Sequence, residues 1–190
     1  MTSAAPEPAR RLFFALWPDE AARRALARAT AKAVRHCGGR PVPAENLHVT
    51  LAFLGSVAQG RIPHLQCSAR GLATTFAAGP LSLRFDRLVH WPRQQILCAL
   101  AGGESPAAQA LATALRATVA AAGFSPDLKP FDVHVTVARK VARPPAAATM
   151  RPVAWCFESF ALLDSRTESA GPVYSVIESY PLVGSEKAGK

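Results

Sequence analysis

The sequence predicts an α+β protein in which antiparallel strands outnumber helices. Two observations predict this class: strands outnumber helices in the expected order of elements, β-α-β-α-β-β-α-β-β-β, and the last three elements are all strands. Consecutive strands without an intervening helix favour antiparallel pairing over a doubly wound parallel sheet. A chain of 190 residues is long enough to bury one sizeable core, as one large domain or two small lobes.

In the first half of the chain, punctuating residues bound the predicted elements. Pro18 ends the apolar first strand, and Asp19 is then a suitable N-cap for the first helix. Pro63 suits the first turn of the second helix, where its missing amide hydrogen removes no hydrogen bond. The predicted elements are a strand over 11–17, a helix ending at Cys37, a loop over 40–46, a strand over 47–53 and a helix over 59–76.

The second half is predicted to contain a hairpin, one helix and three further strands. The segment Trp91-Pro92-Arg93 is typical of a turn, so the strands on either side of it should pair. The third helix is rich in alanine and is closed by Gly123. The predicted elements are strands over 81–89 and 95–101, a helix over 104–122, a strand over 133–138, a loop over 139–152 and strands over 153–163 and 173–180.

Composition restricts the function before any motif is considered. Hydrophobic residues make up 49% of the chain and charged residues 18%, which is too apolar for a disordered protein. Lys and Arg number 22 against 13 Asp and Glu, so the formal charge of +9 favours an anionic partner such as nucleic acid or a phosphate ester. The sequence shows neither a spanning apolar run nor a secretory pattern. We therefore expect a cytoplasmic protein without membrane association, with flexible tails over 1–10 and 184–190.

The sequence predicts neither a metal site nor a bound cofactor. Its four cysteines lie far apart and form no Cys-x-x-Cys pair, so buried reduced thiols are the better interpretation. The chain contains neither G-x-G-x-x-G nor the P-loop pattern, which argues against a dinucleotide oxidoreductase and a P-loop hydrolase. The cysteines are Cys37, Cys67, Cys98 and Cys156.

One five-residue motif occurs twice, as His48-Val49-Thr50-Leu51-Ala52 and as His134-Val135-Thr136-Val137-Ala138. The copies are 86 residues (134 − 48) apart, close to half of the chain, and each follows a helix and a proline-containing loop. We interpret this as two related halves that form two lobes. If the lobes pack about a pseudo-two-fold axis, the two motif strands face each other across a cleft.

Strict alternation along a strand places the histidine and threonine of each motif on one face. It places Val49, Leu51 and Phe53 on the opposite, apolar face, and Ala52 and Ala138 on the polar face. Two imidazoles at one cleft can divide acid and base work near neutral pH, and adjacent hydroxyls can bind phosphate oxygens. Hydrolysis of a cyclic phosphodiester has these needs and requires no metal ion. A single such histidine is more often structural, but the repetition favours function.

Four segments carry a family resemblance: 11–15, 43–55, 129–139, and Leu163-Asp164-Ser165 followed by Gly171 and Tyr174. They resemble the 2H phosphoesterases, named for two His-x-Thr motifs, and among these the RNA 2′,3′-cyclic phosphodiesterase family, also called 2′-5′ RNA ligases. The resemblance covers about residues 11–182. It implies a bilobal α+β fold in which two antiparallel sheets flank a central cleft, with helices on the outside.

The resemblance also implies a reaction and a set of site residues. RNA 2′,3′-cyclic phosphate ends would be hydrolysed to 2′-phosphates, with His48 as proton donor and His134 as proton acceptor. Thr50, Thr136 and Arg139 would bind the phosphate, although strict alternation places Arg139 opposite His134 unless the strand ends or bulges there. The implied partner is RNA with such an end, including tRNA fragments or short oligonucleotides. We expect a monomer that uses no cofactor.

Two other functions stay open at this stage. An RNA-end binding module with little turnover would use the same cleft and the same positive charge. A 2H enzyme acting on 2′-5′ linkages or on small cyclic nucleotide phosphates would use the same histidines. Phe13, Phe14 and Phe131 are candidates for stacking on a base, with core packing as the alternative.

Overall fold

Nine strands and three helices make up the computed structural model, which describes residues 7–76, 79–103, 105–127, 129–145, 149–169 and 171–182. In chain order they are β1 (Ala9–Leu16), α1 (Glu20–His36), β2 (Arg40–Pro41), β3 (Val49–Ala58), α2 (Ile62–Thr75), β4 (Leu81–Trp91), β5 (Ile96–Ala101), α3 (Pro106–Ala121), β6 (His134–Arg139), β7 (Thr149–Phe157), β8 (Ser159–Glu168) and β9 (Gly171–Pro181). Within the described ranges, no helix combines the length and the apolar character that crossing a membrane requires.

The strands form two antiparallel sheets, which confirms the predicted fold class. Sheet 1 has the order β3-β1-β8-β9, and sheet 2 has the order β2-β6-β5-β4-β7. Neither sheet comes from one half of the chain. Strands β8 and β9 lie in the same sheet as β1 and β3, whereas β2 lies in the sheet formed by β4, β5, β6 and β7. The two lobes are therefore interleaved along the chain. The position of the repeat predicts instead that each lobe is one half of the chain, and this prediction is wrong.

The helices cover the outer faces of the sheets. Helix α1 packs on sheet 2, mainly against β7, where the buried Trp155 donates its indole N–H to the carbonyl of Ala22 at 2.9 Å. Helices α2 and α3 pack on each other and on sheet 1, through β9 and β3 respectively. This arrangement leaves the inner faces of both sheets to line the cleft.

Local sequence rules locate most element ends correctly. The Asp19 carboxylate accepts a hydrogen bond from the Ala22 amide at 2.7 Å and caps α1, as expected. Pro63 lies in the first turn of α2. Gly123 follows α3 with φ +77°, a left-handed conformation that glycine adopts without strain. Strands β4 and β5 form the expected hairpin.

Several boundaries differ from the prediction; the strand expected over 47–53, for example, continues to Ala58. Strand β1 begins at Ala9, so the expected N-terminal tail is too long; residues 1–6 and the expected tail 184–190 lie outside the described residues. The predicted loop 40–46 contains β2 and a 3₁₀ turn, because Arg40 and Pro41 pair with β6. The predicted loop 139–152 is too long at its end, since β7 begins at Thr149.

The predicted strand 153–163 is two strands in different sheets. Strand β7 ends at Phe157 in sheet 2 and β8 begins at Ser159 in sheet 1, with a bend at Glu158 between them. The Glu158 carbonyl accepts a hydrogen bond from the amide of Leu182 at 2.7 Å. Apolar residues continue on both sides of the bend, so the hydrophobic pattern alone does not reveal where the chain changes sheets.

Candidate active site

The structure brings all five sequence-predicted site residues together. Strand β3 of sheet 1 continues from the first motif, and β6 of sheet 2 begins at the second. One small cavity in the cleft is lined by the two histidines, the two threonines and the arginine, namely His48, Thr50, His134, Thr136 and Arg139. The two motifs therefore face each other across the cleft, as expected.

A β-bulge follows the threonine of each motif, at Leu51 in β3 and at Val137 in β6. At each point the register against the neighbouring strand shifts by one residue. An extra residue reverses the alternation of faces beyond it. Ala52 and Ala138 are consequently in the core, where each is 0% exposed, and the prediction that they extend the polar face is wrong.

The same bulges return the fifth residue after each histidine to the cleft face. These residues are Phe53 and Arg139, both of which line the cleft. The condition under which Arg139 reaches the site, a bulge in its strand, is thus met. Phe53 was expected on the opposite face, but it packs with the cleft-side cluster that includes Phe13 and Leu163. Equivalent positions in the two motifs therefore place an aromatic ring on one wall and a cation on the other.

Both imidazoles are held in the same tautomer. Nδ1 of His48 lies 2.7 Å from the carbonyl oxygen of Asn46, and Nδ1 of His134 lies 2.7 Å from that of Asp132. A carbonyl can only accept, so Nδ1 carries the proton and Nε2 is the nitrogen free for chemistry. Nε2 of His48 lies 3.1 Å from Oγ1 of Thr50, which donates to it while the ring is neutral.

Two polar side chains outside the motifs fasten these elements together. The buried Asn46 donates from Nδ2 to the carbonyl of Pro172 in β9 at 2.8 Å. Arg116 of α3 donates to the carbonyl of the bulged Leu51 at 3.0 Å and to that of Lys129 at 2.8 Å. Arg116 thus links the first motif to the loop that leads into the second. The prediction missed Arg116, because nothing local in α3 marks it.

More aromatic rings surround the first histidine than the second. The ring centroids of Phe13, Tyr174 and Trp17 lie 5.0, 5.2 and 5.8 Å from that of His48. One ring, that of Trp91, lies edge-on to His134 at 4.6 Å. Sequence reasoning missed the tryptophans and the role of the tyrosine, since β1, the first motif and β9 are far apart in the chain and only the fold brings them together.

The candidates for base stacking divide between core and cleft. Phe14 is fully buried in the core, so it is excluded. Phe13 packs against His48 and is 3% exposed, which leaves no free ring face. Phe131 lines a groove beside His134, with the guanidinium of Arg116 5.6 Å from its ring centroid. Trp91 lines the same groove.

Burial lowers the pKa of both histidines. The surroundings of His48 lower its pKa to about 4, chiefly by desolvation; the positive charge of Arg139 adds to this, and the hydrogen bond to Asn46 opposes it. The pKa of His134 is also lowered, mainly by desolvation and further by Arg139, while Asp132 opposes the shift. Both imidazoles are therefore neutral at pH 7 in the free protein.

We expect NMR titration of the imidazole resonances to give a pKa of about 4 for His48 and a value below 6.5 for His134. Addition of a nucleoside 2′-phosphate should raise both, because an anion favours the imidazolium. Since an unfolded histidine binds its proton near 6.5, acidification from about 6.5 to about 4 should also weaken the fold. His48→Gln assigns the resonance, and a His48 pKa near 6.5 in the free protein would contradict the expectation.

Two grooves extend from the histidine pair, and each contains arginine. The Trp91 groove, of about 750 Å³, runs along sheet 2 past Trp91, Arg93, Lys129 and Phe131. The Arg11 groove, of about 370 Å³, runs along sheet 1 from His48 past Phe13 and Tyr174 to Arg11, Ser165 and Thr167. The cleft therefore has room for more than a phosphate group.

The cysteines take no part in a metal site or a disulfide in the described structure. Among the described residues, no group of three His, Cys, Asp or Glu is placed to hold a metal ion. Cys37 and Cys98 are buried thiols as predicted, whereas Cys67 and Cys156 are exposed. Sγ of Cys98 lies 3.9 Å from Oγ1 of Thr136, and burial raises the pKa of this thiol to about 12.

Comparison with known proteins gives consistent matches. The profile of the family described as LigT-like phosphoesterase matches residues 16–98. The RNA 2′,3′-cyclic phosphodiesterase of Thermus thermophilus is 33% identical over 185 residues, 92% of this chain and 91% of that protein. The crystal structure of TT0787 of the same organism has a TM-score of 0.77 at 32% identity and covers 92% of this chain and 99% of its own. Escherichia coli LigT complexed with 3′-AMP has a TM-score of 0.80 at 26% identity and covers 93% and 99%.

Proposed function

Since this chain belongs to the LigT-like family of 2H phosphoesterases, we propose that it hydrolyses RNA 2′,3′-cyclic phosphate ends to 2′-phosphates. The observation that carries the proposal is the matched pair of imidazoles, each with Nδ1 held by the carbonyl two residues earlier. They share one cavity with two threonine hydroxyls and a guanidinium. The name of the Thermus relative supports the same substrate.

The donors in the cavity suit a bound phosphodiester. Thr50 and Thr136 present hydroxyls from opposite walls, and Arg139 supplies positive charge beside them. The hydroxyl and guanidinium donors stabilise charge on the phosphoryl oxygens, which increases as water attacks. Each wall also carries one of the two histidines, because β3 and β6 belong to different sheets. A phosphorus atom bound by both threonines therefore lies between the two imidazoles.

The reaction follows with His134 as the base and His48 as the acid. Nε2 of His134 accepts a proton from water, whose oxygen attacks phosphorus in line with O3′. The P–O3′ bond breaks, and protonated Nε2 of His48 donates its proton to O3′. The bond from phosphorus to O2′ stays intact, so the product carries a 2′-phosphate and a free 3′-hydroxyl. Exchange with solvent then restores both protonation states.

The lowered pKa of His48 bears on this assignment. An acid with a pKa of about 4 is mostly deprotonated at pH 7. The bound phosphodiester is anionic, and its charge beside the ring favours the imidazolium and raises that pKa. Substrate binding thus lets the ring take up from solvent the proton that the acid must carry, while the free protein avoids a positive charge on a half-buried ring among aromatic side chains.

We expect the protein to convert a short RNA 2′,3′-cyclic phosphate to the 2′-phosphate, with full activity in the presence of a chelator. The reason is that the two imidazoles and the surrounding donors supply every proton transfer and charge contact in the mechanism. The product is identified by NMR or by chromatography against both phosphate isomers. A 3′-phosphate product, or loss of activity with chelator, would contradict the mechanism.

The same experiment distinguishes the alternatives. An RNA-end binding module would bind RNA tightly and in a salt-sensitive manner without turnover. A faster rate on a 2′-5′ linkage or on a small cyclic nucleotide phosphate would indicate the other kind of 2H enzyme. One chain supplies both histidines, so a monomer stays our expectation; the cytoplasmic location also stays a prediction.

A further inference from the structure

We propose that the Arg11 groove binds the phosphate that precedes the terminal nucleotide of the RNA, so that the protein distinguishes an RNA end from a lone cyclic nucleotide. The inference rests on the proposed function, because it extends the same substrate by one phosphate group. Its basis is the polar far end of the groove that begins at His48.

Strand β1 places this subsite beyond the aromatic ring that packs on His48. Arg11, Phe13 and Ala15 are alternate residues and share the cleft face of sheet 1. The Phe13 ring contacts His48, with 5.0 Å between their centroids. Arg11 lies two residues farther along the strand, a separation of about 7 Å. The Phe13 ring therefore lies between His48 and Arg11 along this wall of the groove.

Strand β8 contributes hydroxyl groups beside Arg11. Leu163 belongs to the apolar cluster on the cleft face, and Ser165 and Thr167 continue the same face farther along the strand. Both hydroxyl side chains line the groove together with Arg11. The wall therefore changes from apolar beside the histidine to a set of hydrogen-bond donors at its far end.

The charge of Arg11 is free to bind an anion. Its side chain is exposed, and among the described residues it forms no ion pair. The neighbouring Arg10 and Arg166 differ, since both approach the buried carboxylate of Asp164, at 2.9 and 3.6 Å. Asp164 lines an adjacent cavity together with Arg11, but its carboxylate is taken up by Arg10 and Arg166 and forms no ion pair with Arg11 in the described part of the chain.

The aromatic ring of Phe53 orients the Arg11 guanidinium. The guanidinium carbon lies 4.9 Å from the ring centroid, so the ring supports one side of the cation. Stacking of this kind leaves the N–H groups at the edge of the guanidinium available for phosphate oxygens. Phe53 reaches this position because of the bulge at Leu51, which turns it toward the cleft.

The substrate chemistry requires the RNA chain to leave the site in one direction. O2′ and O3′ of the terminal nucleotide are both bound to the cyclic phosphate, so the chain continues through O5′ alone. The next anionic group is therefore the phosphate on O5′. Arg11, which lies beyond the Phe13 ring in the groove that begins at His48, is placed to bind it. A nucleoside cyclic phosphate has no such group.

The test compares a nucleoside 2′,3′-cyclic phosphate with a dinucleotide that ends in the same cyclic phosphate. We expect Arg11→Gln to lower kcat/KM for the dinucleotide by about 10- to 100-fold, mainly through KM, because a hydrogen bond to a charged group is lost. The same variant should leave kcat/KM for the nucleoside substrate unchanged, which also shows that the fold is intact. Arg11→Lys should retain part of the dinucleotide preference.

A dinucleotide whose internucleotide phosphate is an uncharged methylphosphonate completes the design. With the wild-type protein, its kcat/KM should be lower than that of the charged dinucleotide by the same factor of about 10- to 100-fold. With Arg11→Gln, its kcat/KM should not fall any further. Arg28→Gln is the control: it removes one exposed charge from α1, on the outer face of sheet 2, and should leave kcat/KM unchanged for both substrates. Arg93→Gln removes one positive charge from the Trp91 groove, and it tests whether the RNA chain leaves the site through that groove instead.

The proposal is overturned if Arg11→Gln leaves kcat/KM for the dinucleotide unchanged or lowers kcat/KM for both substrates equally. It is also overturned if Arg93→Gln lowers kcat/KM for the dinucleotide as much as Arg11→Gln does. If the wild-type protein hydrolyses neither substrate, the proposed function fails, and the subsite is then tested by binding alone. Calorimetry with a dinucleotide 2′-phosphate and a nucleoside 2′-phosphate should show tighter binding of the dinucleotide that depends on Arg11. Equal affinities would refute the subsite independently of turnover.

Discussion

Replacement of either cleft histidine by glutamine is expected to lower kcat by about 10²- to 10⁴-fold while the protein stays folded. Each imidazole performs one proton transfer that an amide cannot. Because both act in one step, the double variant should be little worse than the worse single variant. The measurement is steady-state hydrolysis of a dinucleotide 2′,3′-cyclic phosphate, with circular dichroism and thermal melting to verify the fold.

His36→Gln is the matched control for this pair of variants. His36 lies exposed at the end of α1, where its Nδ1 is 2.7 Å from the carbonyl of Lys32, so it resembles the cleft histidines in its local hydrogen bond. It does not line the cleft, and its variant should keep full activity. Retention of most activity in His48→Gln or His134→Gln would refute the two-histidine mechanism.

The assignment of acid and base has a separate test. A substrate with sulfur in place of O3′ releases a thiolate, which needs far less protonation than an alkoxide. It should restore much of the activity of His48→Gln but little of that of His134→Gln, since water still needs a base. Recovery of His134→Gln instead would reverse the two roles.

Arg139→Gln is expected to lower kcat/KM by about 10- to 100-fold, because a charge-assisted contact to the phosphate is lost. It should also move the pH–rate profile. The Arg139 charge lowers the pKa of His48 and of His134, so its removal raises both. The acid then stays protonated to higher pH and the base needs a higher pH to lose its proton, so both limbs shift upward.

Lys140→Gln is the control for the arginine variant. It removes the same charge from the next residue, which is exposed and lines none of the cleft cavities described above. Its rate and pH profile should match those of the wild-type protein. If Arg139→Gln leaves the pH profile unmoved, or Lys140→Gln shifts it equally, the placement of the Arg139 charge beside the histidines is wrong.

Several features of the fold followed from local sequence alone. The Asp19 cap, the Pro63 turn and the glycine after α3 are properties of a few neighbouring residues, and all three are present. The β4–β5 hairpin is also local, since its strands are joined by a short turn. Such features are predictable because their hydrogen bonds and dihedral angles involve residues close together in the chain.

The repeated motif likewise predicted which residues meet in the cleft. His48, Thr50, His134 and Thr136 lie in one cavity, as the matching polar faces of the two motifs predict. The interval between the copies was less informative, since it suggested two sequential halves. The lobes are interleaved instead, because β8 and β9 pair with β1 and not with the strands that precede them.

What the sequence by itself determined is the chemistry of the cleft: two imidazoles, two hydroxyls and the excess of positive charge. What only the tertiary structure decided is which further residues join them. The bulges at Leu51 and Val137 arise from the register between neighbouring strands, and they turn Phe53 and Arg139 inward. The rings around His48 also meet only on folding. Register and ring packing depend on contacts between distant segments, which alternation along a single strand does not specify.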